Sequence, residues 1–373
     1  MPLSPEDNAK IDNLYSKFKE YSQAFLGYPC NLAYDYTILE RFFELSMINV
    51  GDPFDDGIYK TNTKEFERDV IAFFARLYNI SENEYWGYVT NGGTEGNMYG
   101  LYLGREMYSN ALVYFSEDTH YSIFKIVHML GMRHVVIKSQ QNGEMDYDDL
   151  HSVLATHREI PAIILANIGT TMKGAVDRID IINDALQKNV IREHYIHCDA
   201  ALGGMILPFV KDAPVFDFRL PVDSISVSGH KFIGMPFPSG IVIAKNQNVE
   251  RIRKAIEYIG ASDTTLSGSR NGIGPLMFWI AIRSLGYEGF EKRVQECLAL
   301  TKYAVERCNA IGWFAKANEF YNTVVIKRPS AEIVKKWQLA VQGDMAHVII
   351  MPHITKDKID AFINDLTGAQ TVS

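Results

Sequence analysis

The segment Asp223-Ser-Ile-Ser-Val-Ser-Gly-His-Lys231 is the most informative stretch of this sequence. Its alternation of apolar and polar residues predicts a short strand. A Gly-His pair then leads into Lys231, and residues 232–240 contain too many glycines and prolines to form a helix. The pattern therefore predicts a lysine at the end of a strand, with its amine directed at whatever lies above that end.

A second segment, Tyr195-Ile-His-Cys-Asp199-Ala-Ala-Leu-Gly-Gly204, is typical of a strand that ends in an acid and is followed by small residues. An acid and a lysine at the tips of two strands fit a site for pyridoxal 5′-phosphate. The lysine forms a Schiff base with the cofactor, and the acid pairs with the pyridinium nitrogen. We therefore predict that Lys231 and Asp199 bind this cofactor. Ala201 is small enough for the cofactor ring to lie flat against it.

A third segment, Trp86-Gly-Tyr-Val-Thr-Asn-Gly-Gly-Thr-Glu-Gly-Asn97, is typical of a strand, a glycine turn and the start of a helix. Gly92 and Gly93 let backbone N–H groups approach an anion closely, and a helix N-terminus adds about half a positive charge. Thr94 is predicted to cap the helix or to donate a hydrogen bond to phosphate. Neither a Walker loop nor a dinucleotide fingerprint is present. Beside Lys231 and Asp199, this turn is predicted to bind the cofactor phosphate.

Together with residues 118–122 (Asp-Thr-His-Tyr-Ser), 166–171 (Ala-Asn-Ile-Gly-Thr-Thr) and 267–272 (Ser-Gly-Ser-Arg-Asn-Gly), these segments resemble the group II pyridoxal-phosphate-dependent amino-acid decarboxylases. The resemblance is to the short bacterial histidine decarboxylases and also to the plant serine decarboxylases. It implies that the chain converts an L-amino acid to its amine and CO2, with L-histidine giving histamine as the first choice. L-Serine, an aromatic or an aliphatic amino acid is the alternative substrate. An aminotransferase or lyase of the same fold, and a catalytically silent scaffold, are the alternative classes.

The resemblance also implies roles for further residues. His120 is expected to stack on the open face of the cofactor, to contact the substrate and to help protonate its Cα. Ser228 and His230 are expected to contact the phosphate, with a local turn hydrogen bond as their alternative. Thr171, or its neighbour Thr170, is expected to contact the cofactor oxygen or the substrate carboxylate.

Four residues are expected to act across a homodimer or a larger homo-oligomer. Ser269 or Arg270 is expected to complete the phosphate site of a neighbouring subunit, and the alternative is a helix cap with a surface arginine. Tyr34 and Tyr36 are expected to close the substrate pocket, and the alternative is that they are core aromatics.

Two segments depart from the histidine decarboxylase pattern. Ile273 stands where the relatives carry histidine, and Phe320-Tyr321-Asn322 stands where they carry a small segment with a serine. Both could border the substrate side chain, so the sequence supports the reaction more strongly than the substrate.

Composition excludes several other classes of protein. The 373 residues are 47% hydrophobic and carry a formal net charge of −8 without a long basic run, which argues against a nucleic-acid partner. The longest apolar stretch, near residues 275–282, is too short to cross a membrane, and the polar N-terminus lacks a signal-peptide pattern. Four scattered cysteines are typical of reduced thiols in a cytoplasmic protein. No metal site is predicted, because His194 and His197 would point to opposite faces of a strand.

Alternating strand and helix patterns predict an α/β fold with a mostly parallel sheet between helices. The resemblance implies the aspartate-aminotransferase-like fold type I, with a small C-terminal α+β domain. We predict an N-terminal arm (residues 1–55), a large cofactor-binding domain (56–275) and a small domain with its connecting helix (276–373). Within these, helices are predicted at residues 63–78, 272–310 and 331–341.

Overall fold

The computed structural model describes residues 2–370, and its elements follow in chain order. The helices are α1 (Pro5–Gln23), α2 (Lys64–Leu77), α3 (Gly93–Met107), α4 (Ser122–Met129), α5 (Tyr147–Ala155), α6 (Ile179–Lys188), α7 (Asn246–Val249), α8 (Ile273–Ala310), α9 (Ala331–Trp337) and α10 (Lys356–Gln370). The strands are β1 (Ile48–Val50), β2 (Tyr85–Thr90), β3 (Leu112–Ser116), β4 (Arg133–Ile137), β5 (Ala162–Asn167), β6 (His194–Asp199), β7 (Ser224–Ser228), β8 (Gly240–Lys245), β9 (Lys254–Ile256), β10 (Ala261–Asp263), β11 (Ser269–Asn271), β12 (Ala315–Ala317), β13 (Thr323–Lys327), β14 (Ala340–Gln342) and β15 (Met345–Ile349).

A seven-stranded sheet with the order β2-β8-β7-β6-β5-β3-β4 forms the centre of the large domain. The neighbours from β7 to β4 are parallel, and β8 runs antiparallel to both β7 and β2. Every residue of β3, β5 and β7 is buried, as expected for strands covered on both faces. The prediction of a mostly parallel sheet between helices is confirmed.

The carboxyl ends of the parallel strands bring the chemically important residues together. β6 ends at Asp199, its neighbour β7 ends at Ser228, and Lys231 follows three residues later. Ligands of open α/β sheets bind outside these strand ends. The topology therefore explains why residues far apart in sequence meet at one edge of the sheet.

Helix α3 lies on β6 and β7 through a row of glycines, Gly93, Gly96, Gly100 and Gly104. A Cβ at Gly96 would come within 2.7 Å of the Ser226 Cβ, and a Cβ at Gly100 would collide with the ring of His197. These residues recur every three or four positions and so share one helix face. The glycine row lets α3 approach a sheet face that carries polar side chains.

A four-stranded antiparallel sheet, β12-β13-β15-β14, forms the small C-terminal unit. The helix predicted at residues 331–341 is shorter than expected, because α9 ends at Trp337. Gln338 follows in the left-handed region with φ 52°, and β14 then pairs with β15. The predicted boundaries between the three domains stay a prediction.

The long helix predicted from residue 272 to residue 310 is not continuous. Gly286 has φ 60° and ψ −173°, a conformation that interrupts α8 and that favours glycine over other residues. The helix therefore consists of two parts that meet at this glycine.

The N-terminal region begins with a helix that was not predicted from the sequence. Ser4 caps α1 by accepting a hydrogen bond from the backbone N–H of Asp7, and Pro5 occupies its first turn. The chain then passes along the small sheet, where the N–H of Ile349 donates to the Leu26 carbonyl, and reaches the Lys231 loop, where the N–H of Asn31 donates to the Lys231 carbonyl. Among the described residues there is no helix with the length and apolar character needed to cross a bilayer.

Candidate active site

One cavity of about 390 Å³ opens at the carboxyl ends of the central strands. Its walls include ten of the residues predicted to form the site: Gly92, Gly93, Thr94, His120, Thr171, Asp199, Ala201, Ser228, His230 and Lys231. The volume falls in the range that accommodates a small-molecule ligand. These ten residues therefore share one site, although their individual roles stay predictions.

Lys231 lies in this cavity beyond the end of β7. Burial lowers the pKa of its ammonium group, while Asp199 and the thiol of Cys30 oppose that shift. A lowered pKa increases the fraction of neutral amine, which is the nucleophilic form. The environment of Lys231 therefore favours covalent reaction with a carbonyl group.

Asp199 is buried at the end of β6, and each of its carboxylate oxygens accepts one hydrogen bond. The N–H of Ala201 donates to Oδ1 at 3.1 Å, and Nδ2 of Asn97 donates to Oδ2 at 2.7 Å. These contacts fix the carboxylate and still leave lone pairs to accept a further proton donor. The contact from Asn97 was not predicted from the sequence.

The glycine turn before α3 forms the end of the cavity that suits an anion. α3 begins at Gly93 with Gly92 as its N-cap, so Thr94 is not the capping residue. Gly92 has φ 124°, which favours glycine, and a Cβ at Gly93 would lie 2.7 Å from the hydroxyl of Ser228. The first N–H groups of the helix lack intrahelical partners and are available to a phosphate.

His230 and Thr171 are held beside this space. Nδ1 of His230 donates to the Ser239 carbonyl at 3.1 Å, and burial lowers the pKa of the ring. The hydroxyl of Thr170 accepts the N–H of Ala175 at 3.0 Å and is thereby used within its own turn. Both threonines line the cavity, so the expected ligand contact of Thr171 or Thr170 stays a prediction.

His120 follows β3 and lines the cavity with one nitrogen already engaged. Its Nδ1 accepts the backbone N–H of Ser122 at 3.3 Å and lies 2.8 Å from the Ser122 hydroxyl. Burial lowers the pKa of the ring more than Asp199 raises it. In its neutral form His120 therefore carries its proton on Nε2.

The opposite wall comes from segments that carry no motif. Gly27, Tyr28 and Pro29 contribute from the N-terminal segment, Tyr321 from the segment before β13, and His347 from β15. His347 lies between two carbonyl oxygens, with Nδ1 3.2 Å from Met172 O and Nε2 3.0 Å from Gly27 O. The sequence analysis expected Tyr321 to border the substrate, but it missed the N-terminal part of this wall, because Gly27, Tyr28 and Pro29 reach the cavity only through the tertiary fold.

Four predicted residues lie outside this cavity. Tyr34 and Tyr36 pack against each other with ring centroids 5.5 Å apart, and Ser269 lines a separate depression beside Tyr258. Arg270 corrects the expectation that its guanidinium extends to a partner: it is buried and pairs with Glu67 of the same chain. The prediction that Tyr34, Tyr36 and Ser269 act across a dimer stays a prediction.

The cavity fits pyridoxal phosphate at each of its functional ends. The glycine turn provides a cradle that a Cβ at Gly93 would fill, and Asp199 provides a buried acceptor for the ring nitrogen. Lys231 provides a largely desolvated amine between them. A fold type I sheet with this donor set defines a pyridoxal-phosphate-dependent enzyme.

The chain belongs to the pyridoxal-dependent decarboxylase family, whose conserved domain matches residues 63–326. It is therefore a pyridoxal-phosphate-dependent carboxy-lyase, which confirms the predicted class of enzyme and its cofactor. The match spans α2 to β13 and so includes every motif residue of the cavity.

Comparisons with individual proteins agree with this family. The chain is 47% identical to a histidine decarboxylase of Mesorhizobium japonicum, covering 98% of this chain and 99% of the relative. It is 44% identical to serine decarboxylase 1 of Oryza sativa subsp. japonica, covering 93% of this chain and 73% of the relative. The structure of L-methionine decarboxylase from Streptomyces sp. 590, in complex with L-methionine methyl ester, superposes with a TM-score of 0.89 at 27% identity, covering 99% of this chain and 96% of that one. These similarities confirm the predicted fold type I architecture.

Proposed function

We propose that this chain decarboxylates L-histidine to histamine and CO2. The observation that carries the proposal is the similarity to histidine decarboxylases, which is 46–48% identity over nearly the full length of both chains. The serine decarboxylase is similar over a smaller share of its own length. L-Serine is therefore the second candidate.

The geometry of the cavity bears on the two departures from the histidine decarboxylase pattern. Ile273 begins α8 and packs against the hydrophobic core, and it is not among the residues that line the cavity. Tyr321 does line the cavity, where its ring fills a slot beside Gly169 and Gly174. Only the second departure therefore touches the space available to a substrate.

The residues that would hold the cofactor divide the cavity into three parts. Gly92, Gly93 and Ser228 would contact its phosphate, Asp199 would pair with its ring nitrogen, and Lys231 would bind it covalently. When bound, pyridoxal phosphate supplies an electron sink for the electron pair that remains as the substrate carboxylate leaves as CO2. Asp199 supports this chemistry because a fixed carboxylate retains a proton on the ring nitrogen.

His120 is proposed to hold a proton where the substrate needs one. Its Nδ1 is occupied by the N–H of Ser122, so Nε2 carries the transferable hydrogen. After CO2 leaves, the substrate Cα requires a proton, and a positioned imidazole is a suitable general acid. Thr171 and the backbone around Gly27 would orient the remainder of the substrate.

The aminotransferase alternative is not supported by the cavity. Such enzymes usually offer the substrate carboxylate an arginine from the small domain. No arginine lines the cavity within residues 2–370, and Arg328 instead donates to the Gly343 carbonyl at 3.2 Å on an exposed surface. The site is better suited to release the carboxylate than to clamp it.

A panel of L-amino acids is expected to identify histidine as the substrate with the highest kcat/KM. The holoenzyme is incubated with each amino acid, and both the amine product and CO2 are measured. Pyruvate or 2-oxoglutarate is added in parallel to detect transamination. A higher kcat/KM for serine or methionine would overturn the substrate and leave the decarboxylase class intact.

We also infer that the chain acts as a homodimer or larger homo-oligomer in the cytoplasm. Along α1, the apolar side chains of Ile11, Leu14, Tyr15 and Phe18 lie on one face and are more than half exposed. A contiguous apolar face of this kind usually marks an interface. The four cysteines form no disulfide, which supports a reducing compartment.

Sedimentation of the wild-type holoenzyme is expected to show a dimer or larger species. The double variant Leu14→Asp/Phe18→Asp should dissociate it, because two charges would be buried at the interface. Ser16→Asp, on the opposite face of α1, is the matched control and should assemble normally. A fully active wild-type monomer would refute the proposed assembly.

A further inference from the structure

A continuous chain of hydrogen-bonded side chains runs beneath Asp199, away from the cavity. Nδ2 of Asn97 lies 2.7 Å from Asp199 Oδ2, and Oδ1 of Asn97 lies 3.0 Å from His197 Nε2. His197 Nδ1 is 2.7 Å from the Ser224 hydroxyl, which is 2.8 Å from the Tyr195 hydroxyl. The hydroxyl of Ser226 also bonds to Asn97 Oδ1.

The negative charge of Asp199 fixes the direction of every proton in this chain. A carboxylate only accepts, so Asn97 must present its NH2 group to Asp199 and its carbonyl oxygen to His197. That oxygen only accepts, so His197 carries its proton on Nε2 and leaves Nδ1 as an acceptor. The hydroxyl of Ser224 must then donate to Nδ1, and Tyr195 must donate to Ser224.

The hydrogen-bonded side chains come mainly from alternate residues of two adjacent strands. Tyr195, His197 and Asp199 share one face of β6, and Ser224 and Ser226 share the same face of β7. All are buried, and the glycine row of α3 provides the space, since a Cβ at Gly100 would collide with His197. Burial lowers the pKa of His197 to about 4, so the ring is neutral and has a single N–H to donate.

We propose that Asn97 and His197 are positioning residues that hold the Asp199 carboxylate in the orientation required to pair with the cofactor ring nitrogen. Aligned hydrogen bonds polarise one another, and a donor to a charged acceptor is stronger than one to a neutral acceptor. The inference rests on the proposed role of Asp199 as the partner of that nitrogen. It adds that the carboxylate depends on a chain of hydrogen bonds that extends from Asn97, at the cavity, to Tyr195 in the interior.

Other titratable groups also face Asp199 and set the background for any pH effect. Lys231 and His120 approach from the cavity, Tyr321 from the segment before β13, and Cys198 is its neighbour on β6. Substitution of Asn97 or His197 leaves all four of these titratable groups in place. A change in pH dependence can therefore be assigned to the lost donor.

Asn97→Ala and His197→Phe test the inference, since each removes an N–H donor from the chain. We expect the pH titration of the bound cofactor's visible absorbance to shift in Asn97→Ala, because the carboxylate that pairs with the ring nitrogen loses the amide donor to its Oδ2. The dissociation constant of the cofactor should rise about tenfold, in line with the loss of one charge-assisted hydrogen bond. His197→Phe should show the same changes with a smaller amplitude.

Two further variants separate positioning from simple loss of packing. His197→Gln retains an N–H that can reach Asn97 and should restore wild-type values. Tyr99→Phe removes a buried hydroxyl of α3 that donates to the Thr264 carbonyl outside the chain, and it should change neither readout. Melting temperatures of the apo and holo forms show whether each variant is folded.

Wild-type cofactor affinity and pH titration in both Asn97→Ala and His197→Phe would overturn the inference, whatever their melting temperatures. Asp199→Ala distinguishes this outcome from failure of the underlying assignment. If Asp199→Ala shifts both readouts and the other two do not, the inference alone is wrong. If Asp199→Ala also leaves them unchanged, the role of Asp199 is wrong.

Discussion

Replacing Lys231 with alanine is expected to reduce CO2 release by about 10⁴-fold or more, because the change removes the nucleophilic amine that holds the cofactor. The side chain lies in the cavity, and its ammonium form is disfavoured by burial, so alanine leaves the fold intact. Activity is measured as CO2 release with the best substrate of the panel. Circular dichroism and the visible absorbance of the protein report folding and covalent attachment.

Lys211→Ala is the matched control for this experiment, because Lys211 is exposed and lies outside the cavity. It should retain wild-type activity and absorbance. A folded Lys231→Ala protein that turns over at the wild-type rate would refute the assignment of Lys231.

Replacing Asp199 with alanine is expected to cost about 10³-fold in kcat, comparable to the loss of a strong electrostatic contact in other active sites. The carboxylate is buried and accepts two fixed hydrogen bonds, so no mobile group is poised to replace it. Asp199→Asn should lose activity to a similar extent, because an amide of the same shape lacks the charge. The measurement is kcat at saturating cofactor, so that weak cofactor binding does not dominate.

Asp184→Ala, an exposed substitution on α6, removes a negative charge elsewhere on the large domain. It should have wild-type kcat. Retention of kcat by both Asp199 variants at saturating cofactor would contradict the proposed electron-sink role of the acid.

The part of the cavity at the carboxyl ends of the central strands was predictable, because its residues lie in local motifs. Asp199 ends a strand of the central sheet, Lys231 and His120 each follow one, and the topology of such a sheet brings these ends together. The glycine turn was predictable for the same reason, since β2 leads directly into α3. Short-range pattern therefore defined the half of the site expected to hold the cofactor.

On the remaining wall, Tyr321 was expected from the sequence, but the N-terminal segment was not predictable from local pattern. Tyr28 and His347 belong to segments far apart in sequence, and they become neighbours because the N-terminal segment runs along the small sheet.

The early end of α9 depends on Gln338 in a left-handed conformation that its residue type does not favour. Only the start of α1 carried a local signal that could have predicted it, since Ser4-Pro5-Glu6-Asp7 is a typical helix beginning.

The glycine row of α3 restricts how this protein can be made more thermostable. Replacing helical glycine with alanine is a common engineering step, worth about 1 kcal/mol in an open helix. At Gly93, Gly96 and Gly100 the added methyl group would instead meet Ser228, Ser226 and His197, so the substitution would push the helix off the sheet. Consensus or library designs should therefore keep these three glycines of α3 unchanged.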